Sequence, residues 1–231
     1  MKNRSFYPSA AAAALVSVSL ASAAAAQYIP PAGHAVGNNQ AIDREYNSKI
    51  RSNSAPKEVA AMAVANQVAK CLATSGKAKA GELVGGPITD DASYKRLSRG
   101  LFGRYRTCAP TTEGIPLGLI SGALAEELVR LKQPALQARS APADAASAKA
   151  FYATSGGITI DSLGRCLAVY SPGLVYQVLA AGAGTPAETA ALGQLYAQTP
   201  ECGVRATPKD IPMMEQRSAV ATGLYYWLQK V

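Results

Sequence analysis

Cys71, Cys108, Cys166 and Cys202 are the residues of this chain best equipped for chemistry, and their spacing points to cross-linking rather than catalysis. Zinc sites draw their cysteines from close pairs, whereas these four stand far apart. They fall instead into two sets. Cys71-Leu72-Ala73 recurs as Cys166-Leu167-Ala168, Cys108 as Cys202, and Ile115-Pro116-Leu117 as Ile211-Pro212-Met213, at offsets of 94 to 96 residues. Repetition at a fixed offset marks a duplicated structural unit and names no reaction. If each copy descends from a unit that folded by itself, each keeps its own bridge: Cys71 to Cys108 and Cys166 to Cys202. Each bridge closes a loop of roughly 35 to 40 residues, worth on the order of 3 to 4 kcal/mol in chain entropy.

Other catalytic material is scarce. His34 is the single histidine, so a Ser-His-Asp or Cys-His site has almost nothing to be built from. Ser54-Ala55-Pro56-Lys57 matches the Ser-x-x-Lys of penicillin-recognising enzymes, but the companion Lys-Thr-Gly and Ser-Asp-Asn elements are missing. Paired carboxylates hydrolyse glycosides, and Glu126-Glu127 is the nearest approach to such a pair. The second copy has Thr222 and Gly223 there, and a solvated helix face accounts for both acids. The chain has no phosphate-binding glycine loop, dinucleotide fingerprint or metal motif, so no cofactor and no metal are expected.

Two surface features remain as candidate sites. In the segment from Lys95 to Arg106, a helix turning 100° per residue gathers Lys95, Arg96, Arg99 and Arg106 into an arc of about 100° beside Phe102. The second copy has Ala190, Ala191 and Gln194 at the first three positions, so the repeat does not need the charge. Such a strip suits anionic envelope material, meaning lipid head groups, lipopolysaccharide or an acidic envelope protein. Nucleic acid is poorly matched to an exported protein and is not expected as a partner. The second feature is Tyr225-Tyr226-Trp227. Three consecutive helical residues span about 200°, so they cannot all face one neighbour. Trp227 continues an apolar stripe, which leaves Tyr225 and Tyr226 for packing between copies or for a partner-binding surface.

The elements that must position these residues read as helices throughout. Lys57 to Thr74 runs without Gly or Pro and repeats Ala61, Ala65, Val68 and Leu72 at helical spacing. Helices are expected over residues 78–84, 92–105 and 116–131, the last carrying Leu117, Ile120, Leu124, Leu128 and Leu131 as one stripe. The second copy replays them over 159–170, 172–181, 185–197 and 211–229, with Met213, Val220, Leu224 and Trp227 on the final stripe. No stretch alternates apolar and polar residues as a half-buried strand would.

Lys2 and Arg4, the apolar stretch from Ala10 to Leu20 and the small residues up to Ala26 have the layout of a secretory signal peptide. Export implies an oxidising compartment, periplasmic or extracellular, in which four cysteines pair. Cleavage after Ala26 lowers the net charge from +8 to +6. The excess lies early: residues 27–150 hold 16 Lys and Arg against 10 Asp and Glu, and residues 151–231 hold 5 against 5. The chain therefore reads as a signal peptide (1–26), a flexible leader with one short helix around Ile42, Tyr46 and Ile50 (27–55), a helical repeat (56–132), a linker (133–158) and a second helical repeat (159–231). The fold class is all-α, an internal duplication of a three-to-four-helix unit with one disulfide per unit. The expected function is that of an exported, non-enzymatic binding or structural module of the cell envelope without an integral membrane segment; the alternative is an envelope glycoside hydrolase using paired carboxylates.

Overall fold

The computed structural model describes residues 55–85, 91–109, 115–131, 144–153 and 159–230. The expected signal peptide, the expected leader with His34 and Ser54, and most of the expected linker lie outside the described residues. Among those described, every regular element is helical and no strand occurs.

After Pro56 nothing interrupts the backbone until Gly76, and Ala55–Gly76 forms a single long helix, α1. Ala61, Met62, Ala65, Val68, Ala69 and Leu72 are buried along one side of it, as their spacing of three and four residues requires. The chain continues as a 3₁₀ turn at Lys77–Leu83. Next come α2 (Asp91–Arg99), a π turn at Gly100–Arg104, a 3₁₀ turn at Arg106–Cys108 and α3 (Leu117–Leu131).

The second segment opens with α5 (Ile160–Tyr170), whose N-terminus is closed by reciprocal hydrogen bonds between Thr159 and Ser162. It continues through α6 (Pro172–Ala180), α7 (Pro186–Gln198), a 3₁₀ turn at Pro200–Cys202, and α8 (Met213–Lys230). Pro172 and Pro186 stand in the first turns of α6 and α7, where a missing N–H costs nothing.

Disulfides join Cys71 to Cys108 and Cys166 to Cys202, with Cα atoms 5.4 and 5.7 Å apart. Each therefore fixes the helix carrying its first cysteine to the 3₁₀ turn carrying its second. The centre of the molecule is the crossing of α3 and α8, with α1 packed on α3 and α5 on α8. One hydrophobic core runs through both segments, from Met62 and Leu72 through Leu124 to Leu167, Tyr196 and Leu224.

Small residues permit these crossings. At Gly164 a β-carbon would run into the α8 backbone at Ala219, and at Gly122 it would run into Ser218. Helices with larger side chains at those points would be held further apart.

Four expectations need correction. The helix expected over 92–105 stops being α-helical at Arg99, and the piece expected over 78–84 is 3₁₀ rather than α. Leu131 does not share the α3 stripe: it is 62 % exposed, while Ile120 and Leu124 are fully buried. Part of the expected linker is a helix, α4 (Ala145–Tyr152), capped by Asp144, whose carboxylate accepts from the N–H groups of Ala146 and Ser147. Eight residues are too few to hold a helix unaided. Phe151 supplies the anchorage by packing with Ala148, Val169 and Trp227, and burying such a ring contributes about 2 kcal/mol.

Candidate functional site

The cationic segment is held from behind. Leu97, Leu101 and Tyr105 are buried at four-residue spacing, and the disulfide at Cys108 ties the end of the segment to α1. Lys95, Arg96, Arg99, Arg104 and Arg106 are all exposed on the other side. Arg96 Nη2 donates to Ser93 Oγ at 3.2 Å and Arg99 Nε to the Lys95 carbonyl at 3.1 Å. Among the described residues none of these cations sits in an ion pair.

The continuous arc expected from a regular helix is not what forms. The π turn adds backbone between Arg99 and Arg104, and Arg106 belongs to a separate 3₁₀ turn. Phe102 lies within the π turn and at 66 % is the most exposed large apolar residue among those described. Arg104, not among the expected strip residues, joins the same surface. Gly103 is exposed beside Phe102, with no described atom near where a β-carbon would be.

A second constellation went unseen in the sequence. Arg217 on α8 is 2 % exposed and places all five of its N–H groups. Nε and Nη2 donate to the two carboxylate oxygens of Glu126 on α3, at 2.8 and 2.7 Å. Nη1 donates to Glu188 of α7 at 2.9 Å and to the Val178 carbonyl at 3.0 Å, and Nη2 also reaches the Leu179 carbonyl at 2.9 Å. Glu188 is fully buried and takes the Gly184 N–H on its other oxygen. Burial opposes the charge on Arg217, but the two carboxylates outweigh it and hold the guanidinium proton more tightly than usual.

Glu126 is thus a half-buried ion-pair partner rather than part of a solvated face. Glu127 pairs with Arg130 at 2.6 Å. Both glutamates line an open groove of about 270 Å³ with Asn66, Lys70, Ala123 and Arg130. Neither acid is free there.

Tyr225 and Tyr226 pack within the molecule and do not stand out as surface anchors. Tyr225 is buried with its phenol against Gly81, and burial raises its pKa. Tyr226 donates to the Val84 carbonyl at 2.7 Å. Both thus fasten α8 to the 3₁₀ turn that follows α1. Trp227 meets Phe151 with ring centroids 5.3 Å apart, and Arg165 lies over the Tyr226 ring at 5.6 Å.

No group of three or more His, Cys, Asp or Glu residues capable of holding a metal occurs among the described residues. Nor is any described helix long and apolar enough to cross a membrane. Comparison of the chain with protein-family models, with curated proteins and with solved structures finds no match.

Proposed function

We propose that this chain is an exported, non-enzymatic binding module of the cell envelope, and that the exposed segment from Lys95 to Arg106 holds anionic envelope material. The observation that carries the reading is the set of five outward cations with no ion-pair partner among the described residues, on a segment fixed by a disulfide and three buried side chains. Exposed positive charge on a backbone already fixed by the fold attracts a polyanion without first having to order that backbone. Export is inferred from the signal-like N-terminus, and two disulfides are compatible with it.

The module itself is read as two copies of one unit. Under the 96-residue offset between the Ile-Pro starts, Gly122 is the counterpart of Ser218. These two positions meet where α3 crosses α8. Contact between counterpart positions is what a two-fold relation between like units produces near its axis, and it supports this reading. Ser121 and Arg217 are counterparts too. Ser121 accepts the Gly85 N–H at the end of the first 3₁₀ turn, and Arg217 donates to carbonyls at the end of α6. For the glycoside hydrolase reading, the acids that would be needed, Glu126 and Glu127, already accept two hydrogen bonds each from an arginine.

Co-sedimentation of residues 27–231 with vesicles of anionic or neutral phospholipid tests the reading. Binding is expected to the anionic vesicles alone and to fade as salt rises, since screening acts over about 8 Å at physiological ionic strength. Replacing Lys95→Ala, Arg96→Ala and Arg99→Gln, the side chains carried by the second segment, should weaken binding on the order of 100-fold, at about 1 kcal/mol per cation near an anionic surface. The helical spectrum should not change. Equal binding by both versions would overturn the assignment.

A further inference from the structure

We propose that Phe102 is a membrane wedge: the partner of the cationic segment is a lipid bilayer, into whose interface the aromatic ring inserts while the surrounding cations hold the head groups. This rests on the anionic-surface reading and narrows it from any polyanion to a lipid surface. The argument begins at the backbone. An α-helix continued past Arg99 would keep Leu97, Leu101 and Tyr105 on one stripe, with intervening residues fanning round the other faces. In the π turn Gly100–Arg104 the backbone widens, and Phe102 and Gly103 form a tip between Arg99 and Arg104 that is exposed among the described residues. π turns are rare, and they recur at functional sites because they disturb an otherwise regular helix.

The composition of that tip discriminates between partners. A protein interface of ordinary stability needs a patch of about 800 Å² per side with several clustered apolar anchors. Among the described residues a single large ring, Phe102, stands exposed beside Lys95, Arg96, Arg99, Arg104 and Arg106. One ring is too little for a protein hot spot and too much for binding a soluble polyanion, which gives a phenyl group nothing apolar to enter. A bilayer interface uses both parts: phosphate at the level of the cations, and acyl chain a few ångströms below for the ring.

The backing is suited to insertion. Gly100 lets the turn lie directly on Leu83, where a β-carbon would collide with the leucine side chain. Buried Leu101 anchors the residue next to Phe102. The tip is therefore presented by the folded body and does not have to fold on the membrane.

The test uses residues 27–231 carrying Phe102→Trp, read against the constant emission of buried Trp227, with Phe102→Ala and Phe102→Leu as companions. With anionic vesicles the new tryptophan should shift its emission to the blue and be quenched by lipids brominated on their acyl chains. Inorganic polyphosphate in solution should produce neither effect. Phe102→Ala should weaken partitioning roughly tenfold, with Phe102→Leu recovering most of it, as the transfer of one apolar side chain dictates. Salt-dependent vesicle binding without blue shift or quenching would overturn the wedge and leave the cationic reading standing. Absence of binding to anionic vesicles would overturn both, and equal insertion into neutral vesicles would overturn the role given to the cations.

Discussion

At the scale of single residues, the fold asks side chains to do things their type does not advertise. Asp161 stands in the first turn of α5, where the helix dipole favours a carboxylate. Burial nevertheless pushes its pKa above the ordinary value of 3.8, with Arg165 one turn along pulling the other way. A carboxyl that holds its proton more tightly folded than unfolded adds stability that is fully present below pH 3.8 and is lost as the pH rises through the folded value. At neutral pH the ionised group therefore works against the fold. Asp161→Asn should raise the melting temperature at neutral pH, and the gap between variant and parent should close in acid. Melting curves across the acid range check this, and a gap independent of pH would show that ionisation is not the cause. Residue types alone did reveal the cationic segment, because five Lys and Arg in a short stretch are visible in any sequence. They did not reveal the π turn at Gly100–Arg104 that carries Phe102.

Among the elements, α1, α3, α5 and α8 were legible because each carries apolar residues at helical spacing between clear stops. The irregular pieces were not. A 3₁₀ turn and an α-helix share most of their composition, and α4 hid in a segment rich in Ala, Pro and Ser, its one cue being Asp144 as a cap. Arg217 was missed for a different reason. It falls on the α8 stripe between Met213 and Val220, where Ser121 occupies the matching place in α3, and a charge on a core stripe demands a buried partner. That signal was present; its partners, Glu126 and Glu188, lie 91 and 29 residues away and only the fold brings them in. The node ties α8 to α3, α6 and α7 at once. Arg217→Met should destabilise the protein by about 3 to 5 kcal/mol, because it leaves Glu188 charged, buried and without its counter-ion. Adding Glu188→Gln should restore a large part of that loss, as the amide oxygen still accepts the Gly184 N–H. Urea denaturation of the single and double variants measures the coupling. A loss below about 1 kcal/mol for Arg217→Met would mean that water or local movement relieves the carboxylate.

For the whole molecule, the repeated cysteine pattern reaches further than any single element, because it anticipates which half of the chain each disulfide belongs to. It says nothing about whether the halves stand apart. The structure answers through shared packing: Gly122 against Ser218, Arg217 bridging to Glu126, Tyr226 bonded to Val84, and one core through both. Segments coupled this way should unfold together. Trp227 lies in the second segment and the Cys71–Cys108 bridge in the first, so each reports on the other. Unfolding in urea, followed by far-ultraviolet circular dichroism and by Trp227 fluorescence, should give one transition by both probes. Cys71→Ala with Cys108→Ala reopens a loop closed at a separation of 37 residues. In chain entropy that loop is worth about 4 kcal/mol. Both probes should shift to lower urea by the same amount, although only the first segment has lost a bond. If the dichroism moved while the Trp227 transition stayed in place, the two segments would be independent beads, and the contacts across α3 and α8 would contribute too little to couple them.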